Sequence, residues 1–595
     1  MRPKLITKST VKSSLNLKGF TGTVVAGLIY HLAGFGKLNK MYPNFTTYRG
    51  REFIDAMLKE FKISFEIDEK ELEYIPQEGP FVVTANHPFG AIDSLLLLHI
   101  IGSTRPDIKT IANFLFTSIP NLSNFFFEVN PFSNNKELAS SFSGLRAAAL
   151  HLKNGGSITI FPAGEVSTYY GTSTIEDKEW QLPIIKMIRN ANVPVLPAYF
   201  HGTNSKMFHL MGRIHPALRT LRLSREMLNK RGKTIKISFG RPITTSEQAQ
   251  FTTLKELSLG LRARTYALES NLIPDAVIQE REELEPIALP KNRRAMHKEI
   301  SSLPANAQLF TTGGYSCYLA NASAIPTLLH EIGRKREEAF RAVGEGTGTP
   351  LDLDQYDQYY KHLILWDKHR NKLVGAYRLG GGSEIMKSKG VEGFYSSTLF
   401  HYKDIFTPVL NNSMELGRSF VVLDYQKETL PLLLLIKGLL YVVSRNSEVK
   451  YLFGPVSISS WYPMFYRSLM IYYLKEAHSP QSFNGGAIPK TPFEADFMRS
   501  APLPLLQGKM ESIEKFDRFI LRLSNGKYRV PTLVKKYIKI NCKMVAFNVD
   551  PAFNYCVDGL VLLDLKDVPI SEIEILTKGD PDRARIFERF GHSAP

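Results

Sequence analysis

The chain has 595 residues, 44% of them hydrophobic and 22% charged, which excludes a disordered or fibrous protein and is too long for a single core. Its 74 Lys and Arg outnumber 57 Asp and Glu for a formal charge of +17, suiting an acidic partner. Without zinc-knuckle spacing, an RNP-like aromatic strand or a long basic block, nucleic acid is not expected as that partner; the sparse Cys317, Cys542 and Cys556, lacking CxxC spacing, argue against a disulfide framework or any metal site.

In chain order, Lys4, Lys8 and Lys12 recur at four-residue steps before a mostly apolar stretch at 19–36. His31 and several glycines interrupt it, it falls short of the ~20 apolar residues a membrane span needs, and no clean cleavage signal follows. Residues 1–45 therefore read as a segment for an anionic membrane interface, with a helix packed on the domain as the alternative. Strands are predicted over 81–84, 157–161, 193–200 and 235–239, and helices from 94 and over 142–153, the latter stopped by Asn154-Gly155-Gly156. Strand and helix in alternation predict an α/β domain with a mixed sheet over 46–273.

A charged, proline-bounded stretch at 274–304 reads as a linker. A second α/β domain is expected over 305–595, with helices over 325–341 and 430–444 and strands over 362–366, 373–379, 413–422 and 451–456. The apolar run at 431–443 is too short to span a membrane. Residues 485–595 alternate like strand and helix without visible chemistry.

The first constellation is Asn86-His87-Pro88-Phe89-Gly90-Ala91-Ile92-Asp93, at the C-terminal end of a strand and running into a helix. That end of an open α/β sheet is where ligands bind. A His and an Asp across a tight glycine turn can form a base and its orienter, which acyl transfer to an aliphatic hydroxyl requires. Phe161-Pro162-Ala163-Gly164-Glu165 follows a second strand, and Val193-Pro194-Val195-Leu196-Pro197 is the third piece. The ordered trio resembles the glycerolipid acyltransferase family over about residues 70–245.

The resemblance implies direct attack of a lipid hydroxyl on an acyl thioester, with His87 as general base and Asp93 as its orienter. Glu165 would organise the acceptor-side loop and Gly164 would let the backbone approach, in a substrate-binding set with Asn86, Gly90, Phe161 and Pro162. Glu128-Val129-Asn130 falls where the family carries an acceptor-binding motif, which adds Asn130. Two departures matter. Five residues separate His87 from Asp93 where four are usual, so the turn must bulge. Val166-Ser167-Thr168 stands where glycerol-phosphate users carry a basic residue, so an acceptor without that phosphate is expected.

The second constellation starts with Arg336 and Phe340, four apart on one helical face. Asp354 and Asp357, the strand carrying Arg378, and Glu415-Leu416-Gly417-Arg418 follow. Buried arginines and carboxylates must pair, so a charged network is expected, which could be purely structural. The order resembles the acyl-homoserine-lactone-synthase branch of the GNAT fold, and more closely ornithine-lipid N-acyltransferases, over about residues 310–480. The resemblance implies that an amine attacks an acyl thioester, with Arg336, Phe340, Asp354, Asp357, Arg378 and Arg418 binding substrate and Glu415 as the proton sink. Arg341-Ala342-Val343-Gly344-Glu345-Gly346 matches a coenzyme A loop pattern but follows a helix and precedes the strands, which tilts the donor from acyl-CoA toward acyl carrier protein, an acidic partner for a basic chain.

Joined, the two halves resemble bifunctional ornithine lipid synthases of bacteria. The implied activity is N-acylation of ornithine with a 3-hydroxyacyl thioester in the C-terminal domain, then O-acylation of the resulting hydroxyl in the N-terminal domain. No cofactor is expected beyond the acyl-ACP or acyl-CoA co-substrate, and the implied location is the cytoplasmic face of the bacterial inner membrane, peripherally bound. The alternatives are the same reactions on glycine or another amino acid, a lysophospholipid acyltransferase with a regulatory C-terminal half, and a non-catalytic membrane-binding factor.

Overall fold

A computed structural model describes residues 7–9, 12, 18–32, 34–112, 119–128, 138–170, 174–214, 216–271, 284–495, 506 and 511–592. They fall into two compact units, one drawn from Met1–Leu272, Met498–Lys509 and Arg518–Tyr528, the other from Ile273–Phe497, Met510–Asp517 and Arg529–Pro595.

The strands of the first unit are β1 (Ser64–Glu66), β2 (Val82–Ala85), β3 (Lys109–Ala112), β4 (Phe126–Glu128), β5 (Ile158–Ile160), β6 (Thr168–Tyr170), β7 (Thr174–Glu176), β8 (Val195–Phe200) and β9 (Thr234–Phe239). Seven form a sheet in the order β1-β9-β8-β2-β5-β3-β4, while β6 and β7 pair separately. Only the β8–β9 pair of the seven-stranded sheet is antiparallel. The four strands expected from sequence lie within two residues of these positions, and the expected helices are Ala91–Gly102 and Leu138–Lys153.

The apolar runs in β2 and β8 follow from burial on both faces. Val83, Ala85, Leu196, Ala198 and Phe200 pack with Leu95 and Leu96 on one side. Val82, Ile158, Ile160 and Val195 pack with Leu152, Ile184, Ile185 and Leu261 on the other. Each Val, Leu, Ile or Phe among them contributes about 1.5–3 kcal/mol on burial. The adjacent parallel strands β8, β2 and β5 all end on the same side of the sheet, so the motifs that follow β2 and β5 converge there, while the third, at 193–197, forms the opposite, starting end of β8.

The second unit adds β10 (Gln308–Thr312), β11 (Tyr315–Asn321), β12 (Lys361–Asp367), β13 (Lys372–Gly381), β14 (Phe400–Tyr402), β15 (Ser413–Val421), β16 (Tyr451–Ile458), β17 (Ala487–Pro489), β18 (Lys543–Asp550) and β19 (Cys556–Asp564). Eight form a sheet in the order β10-β11-β12-β13-β15-β16-β19-β18, antiparallel except at β15–β16. That parallel pair meets only at Ser413–Tyr451, Met414–Leu452 and Glu415–Phe453. Beyond it, β15 runs on against β13 and β16 against β19, so the two strands part and leave a wedge. Gly454 marks the parting point, where a Cβ would stand 2.0 Å from the Leu416 carbonyl oxygen.

Helices Pro326–Arg341 and Leu430–Ser444 are where the sequence placed them. Lys437, which interrupts the apolar face of the latter, pairs with Asp580 at 2.7 Å. The stretch read as a linker contains the helix Arg293–Ser301. Residues 485–595, which gave no chemical signal, supply the last two strands of the sheet and bring Asp550 and Asp558 to it.

Candidate active sites

In the first unit, His87 Nδ1 lies 2.9 Å from Asp93 Oδ2, and Asp93 is fully buried. The same carboxylate oxygen accepts the backbone N–H groups of Phe89 and Gly90, both at 3.0 Å. The extra residue between His and Asp is absorbed here: Gly90 takes φ +85 and the loop closes onto the carboxylate at the start of helix Ala91–Gly102. Burial pushes the Asp93 carboxyl up, and the bond to His87 opposes that. With Nδ1–H directed at Asp93, Nε2 keeps the lone pair that can accept a hydroxyl proton.

The imidazole stacks on Phe161, with ring centroids 4.0 Å apart. Its backbone is gripped from both sides, His87 N–H donating to Asp177 Oδ1 at 3.2 Å and Ser167 N–H donating to the His87 carbonyl at 2.9 Å. Ser167 Oγ also donates to Asp177 Oδ1, at 2.6 Å. No sequence motif marks Asp177. It follows β7 and meets the His loop only through the fold, where Arg262 donates to its carbonyl at 2.9 Å and Tyr266 accepts its N–H at 2.8 Å.

Glu165 pairs with Lys178 at 2.6 Å on the half-exposed loop beyond Phe161. Gly164 has φ +74, and a Cβ there would stand 2.2 Å from Gln181 Nε2. The Pro162 carbonyl accepts the Gln181 N–H at 2.9 Å. Asn86, expected at the substrate, instead has both ends of its amide on the Phe200 backbone, at 2.9 and 2.7 Å, so it ties the His loop to β8. Glu128 ends β4, and Asn130 lies outside the described residues.

In the second unit the expected residues come together. Arg336 makes a bidentate pair with Asp357 at 3.1 and 2.9 Å and donates to the Asp352 carbonyl. Arg378 donates to Asp354 at 2.5 Å and to Asp357 at 3.1 Å, beneath the rings of Tyr356, Tyr360 and Tyr395. Arg418 lies 3.3 Å from Asp352 and 3.9 Å from Asp354 and donates to Tyr395 Oη at 3.2 Å. Its backbone has φ +49, in a bulge against β13, strain of the kind that accumulates at functional sites. Burial alone would raise the Asp357 carboxyl, but Arg336 and Arg378 hold it well below the usual range. Three guanidinium groups thus face three aspartates. Asp352, the third, was not singled out from sequence.

Phe340 packs edge-on against Phe553 with centroids 6.0 Å apart, and the Arg418 guanidinium lies 4.1 Å from the Phe553 ring centre. Glu415, expected to take the proton, is only 1% exposed. One oxygen accepts the Tyr360 hydroxyl and the Tyr395 N–H at 3.0 Å, the other the Ser396 N–H at 2.8 Å. Here it anchors the Tyr395 loop to β15, with both carboxylate oxygens bonded to protein. Arg341 of the glycine-loop pattern pairs with Glu337 at 2.7 Å and caps the carbonyls of Glu285 and Thr349, so it is spent within the protein.

Comparison with known proteins gives two family matches, Acyltransferase over residues 18–275 and Acetyltransferase (GNAT) domain over residues 336–436. The chain is similar to the glycine N(alpha)-acyltransferase of Bacteroides thetaiotaomicron, 30% identical over 324 residues, which is 51% of this chain and 94% of that protein. It is also similar to the lyso-glycine lipid O-acyltransferase of Phocaeicola vulgatus, 27% identical over 227 residues, covering 37% and 78%. Among solved structures, the 1-acyl-sn-glycerophosphate (LPA) acyltransferase of Thermotoga maritima aligns at 18% identity and a TM-score of 0.25, covering 41% of this chain and 91% of that one. The chain is an acyltransferase in which an N-terminal acyltransferase domain is joined to a C-terminal GNAT domain, and it belongs to the family of the glycine N(alpha)-acyltransferases.

Proposed function

We propose that the chain builds a diacylated amino-acid lipid in two steps, with ornithine as the head group. The GNAT unit joins the amine to a 3-hydroxyacyl thioester, and the first unit then esterifies the hydroxyl carried in on that acyl chain. Amide formation comes first because it supplies the hydroxyl. The reading is carried by one observation: a hydroxyl-activating pair, His87–Asp93, shares a chain with a second, GNAT-type site. A hydroxyl needs a base to attack a thioester, whereas an amine, once deprotonated, needs chiefly orientation.

In the first step the extended thioester arm enters the wedge between β15 and β16, whose backbones part after Glu415 and Phe453 and leave room for an extended chain. Acyl carrier protein is the proposed donor, in keeping with the +17 charge. In the second step His87 Nε2 takes the hydroxyl proton while the oxygen attacks the acyl carbonyl, and the thiol leaves with a proton returned from the imidazolium.

Helix Gly19–Leu32 exposes Phe20, Val24 and Leu28 in a four-residue stripe after Lys18, which fits peripheral attachment at the cytoplasmic face of a bacterial inner membrane. No helix among the described residues is long and apolar enough to cross a membrane.

A second reading keeps both steps and replaces ornithine by glycine, the amino acid in the names of the two relatives. Expression in a bacterium without amino lipids, followed by mass spectrometry of total lipid, tests both. A diacylated ornithine lipid that falls to the mono-acylated form in His87→Ala supports the proposal. A glycine head group moves it to the second reading, and altered phosphatidic acid without any amino lipid overturns it.

A further inference from the structure

The charges of the three arginines and three aspartates in the second unit cancel. Glu345, Asp550 and Asp558 lie beside them with no ion pair among the described residues. Register places Asp558 opposite Ser457 on the strand that parts from β15, and Ser457 Oγ donates to Glu345 at 2.7 Å. Asp550 ends β18 opposite Cys556. All three carboxylates feel the charge of Arg418, which Asp352 and Asp354 already neutralise.

Asp558 is 7% exposed, and the one bond to its carboxylate among the described residues is a weak one from the Cys556 thiol at 3.9 Å. Leaving a carboxylate buried without a cation or an N–H donor costs free energy, which a cationic ligand would recover. Burial pushes all three carboxyls up, Glu345 to about 7. Phe553 lies against the same guanidinium and Phe340 packs edge-on against Phe553, giving apolar surface suited to a short alkyl chain.

We propose that Glu345, Asp550 and Asp558 form the pocket for the acceptor's ammonium groups, and that their excess over Arg418 selects an amino acid with a second, side-chain ammonium over glycine. This rests on the two-step reading above and names the determinant of its first substrate. One carboxylate would suffice for the α-ammonium of glycine, and three can hold both ammonium groups of an ornithine-class acceptor.

The test is steady-state N-acylation by the full chain, with a 3-hydroxyacyl thioester and either ornithine or glycine, in the wild type, Asp558→Asn, Asp550→Asn and Glu345→Gln. Thermal unfolding identifies the folded variants, and the three substitutions keep the proposal testable if one fails to fold. The expected result is a KM for ornithine raised ~10-fold or more, as for loss of one charged hydrogen bond, with the KM for the thioester unchanged. Unaltered KM for ornithine in all folded variants overturns the pocket. A wild type that prefers glycine overturns the second-ammonium selection. A wild type that acylates neither amine overturns the two-step reading, and this inference with it.

Discussion

Asp93 Oδ2 is shared between His87 Nδ1 at 2.9 Å and the backbone N–H groups of Phe89 and Gly90 at 3.0 Å. One carboxylate oxygen therefore fixes the imidazole tautomer and the loop that carries it. Asp93→Asn keeps the volume but can present an N–H to Nδ1, which turns the lone pair from Nε2. Esterification of the mono-acylated amino lipid is expected to fall on the order of 10²–10⁴-fold. Rate measurement with synthetic lyso-lipid checks this, and a variant within a few-fold of wild type would show that Asp93 does not set the tautomer of the base.

Asp177 grips the His87 backbone from outside the motif. Asp177→Ala releases the His87 N–H and Ser167 Oγ, a loss of about 1–3 kcal/mol in stability. A shift of the imidazole lowers kcat for esterification ~10- to 100-fold with little change in KM. Asp177→Asn, which keeps an acceptor oxygen, should restore much of both. Equal damage in the two variants would mean that the charge rather than the bond matters.

Arg378 is 1% exposed between Asp354 and Asp357. Arg378→Ala removes one of the two guanidinium partners of buried Asp357 and the nearer partner of Asp354, and should cost about 2–3 kcal/mol in chemical denaturation of the second unit. Arg378→Lys should recover little of N-acylation, because an ammonium cannot reproduce the planar donor fork. Wild-type N-acylation in the lysine variant would reduce the site's demand to bare charge.

Glu345 gives stability a pH dependence of known sign. Burial raises its carboxyl from 4.5 to about 7, against the Ser457 bond and Arg418, with Asp550 and Asp558 nearby. The folded protein holds this proton where the unfolded chain has released it. Its contribution is therefore full below pH 4.5 and is lost as pH rises toward 7. Glu345→Gln, which stays neutral, should flatten the decline in melting temperature across that window. An unchanged slope would show that another group supplies the proton.

The sequence by itself determined the two α/β units, the central strands and the His87–Asp93 pair. Apolar runs bounded by glycine and proline fix strands locally, and a base and its orienter six positions apart need only one turn to meet. It also marked Arg336, Asp354, Asp357, Arg378 and Arg418 as a network, since buried charge must pair. What only the tertiary structure decided depends on contacts far apart in the chain. Asp177 reaches His87 across 90 residues. Asn86 and Glu415 bond backbone rather than face an open site. Asp550 and Asp558 join Glu345 because β18 and β19 complete a sheet begun more than 200 residues earlier. Local pattern reports which face of a strand is buried, but which carboxylates share that face, and how many cations they meet there, is settled by sheet order and register.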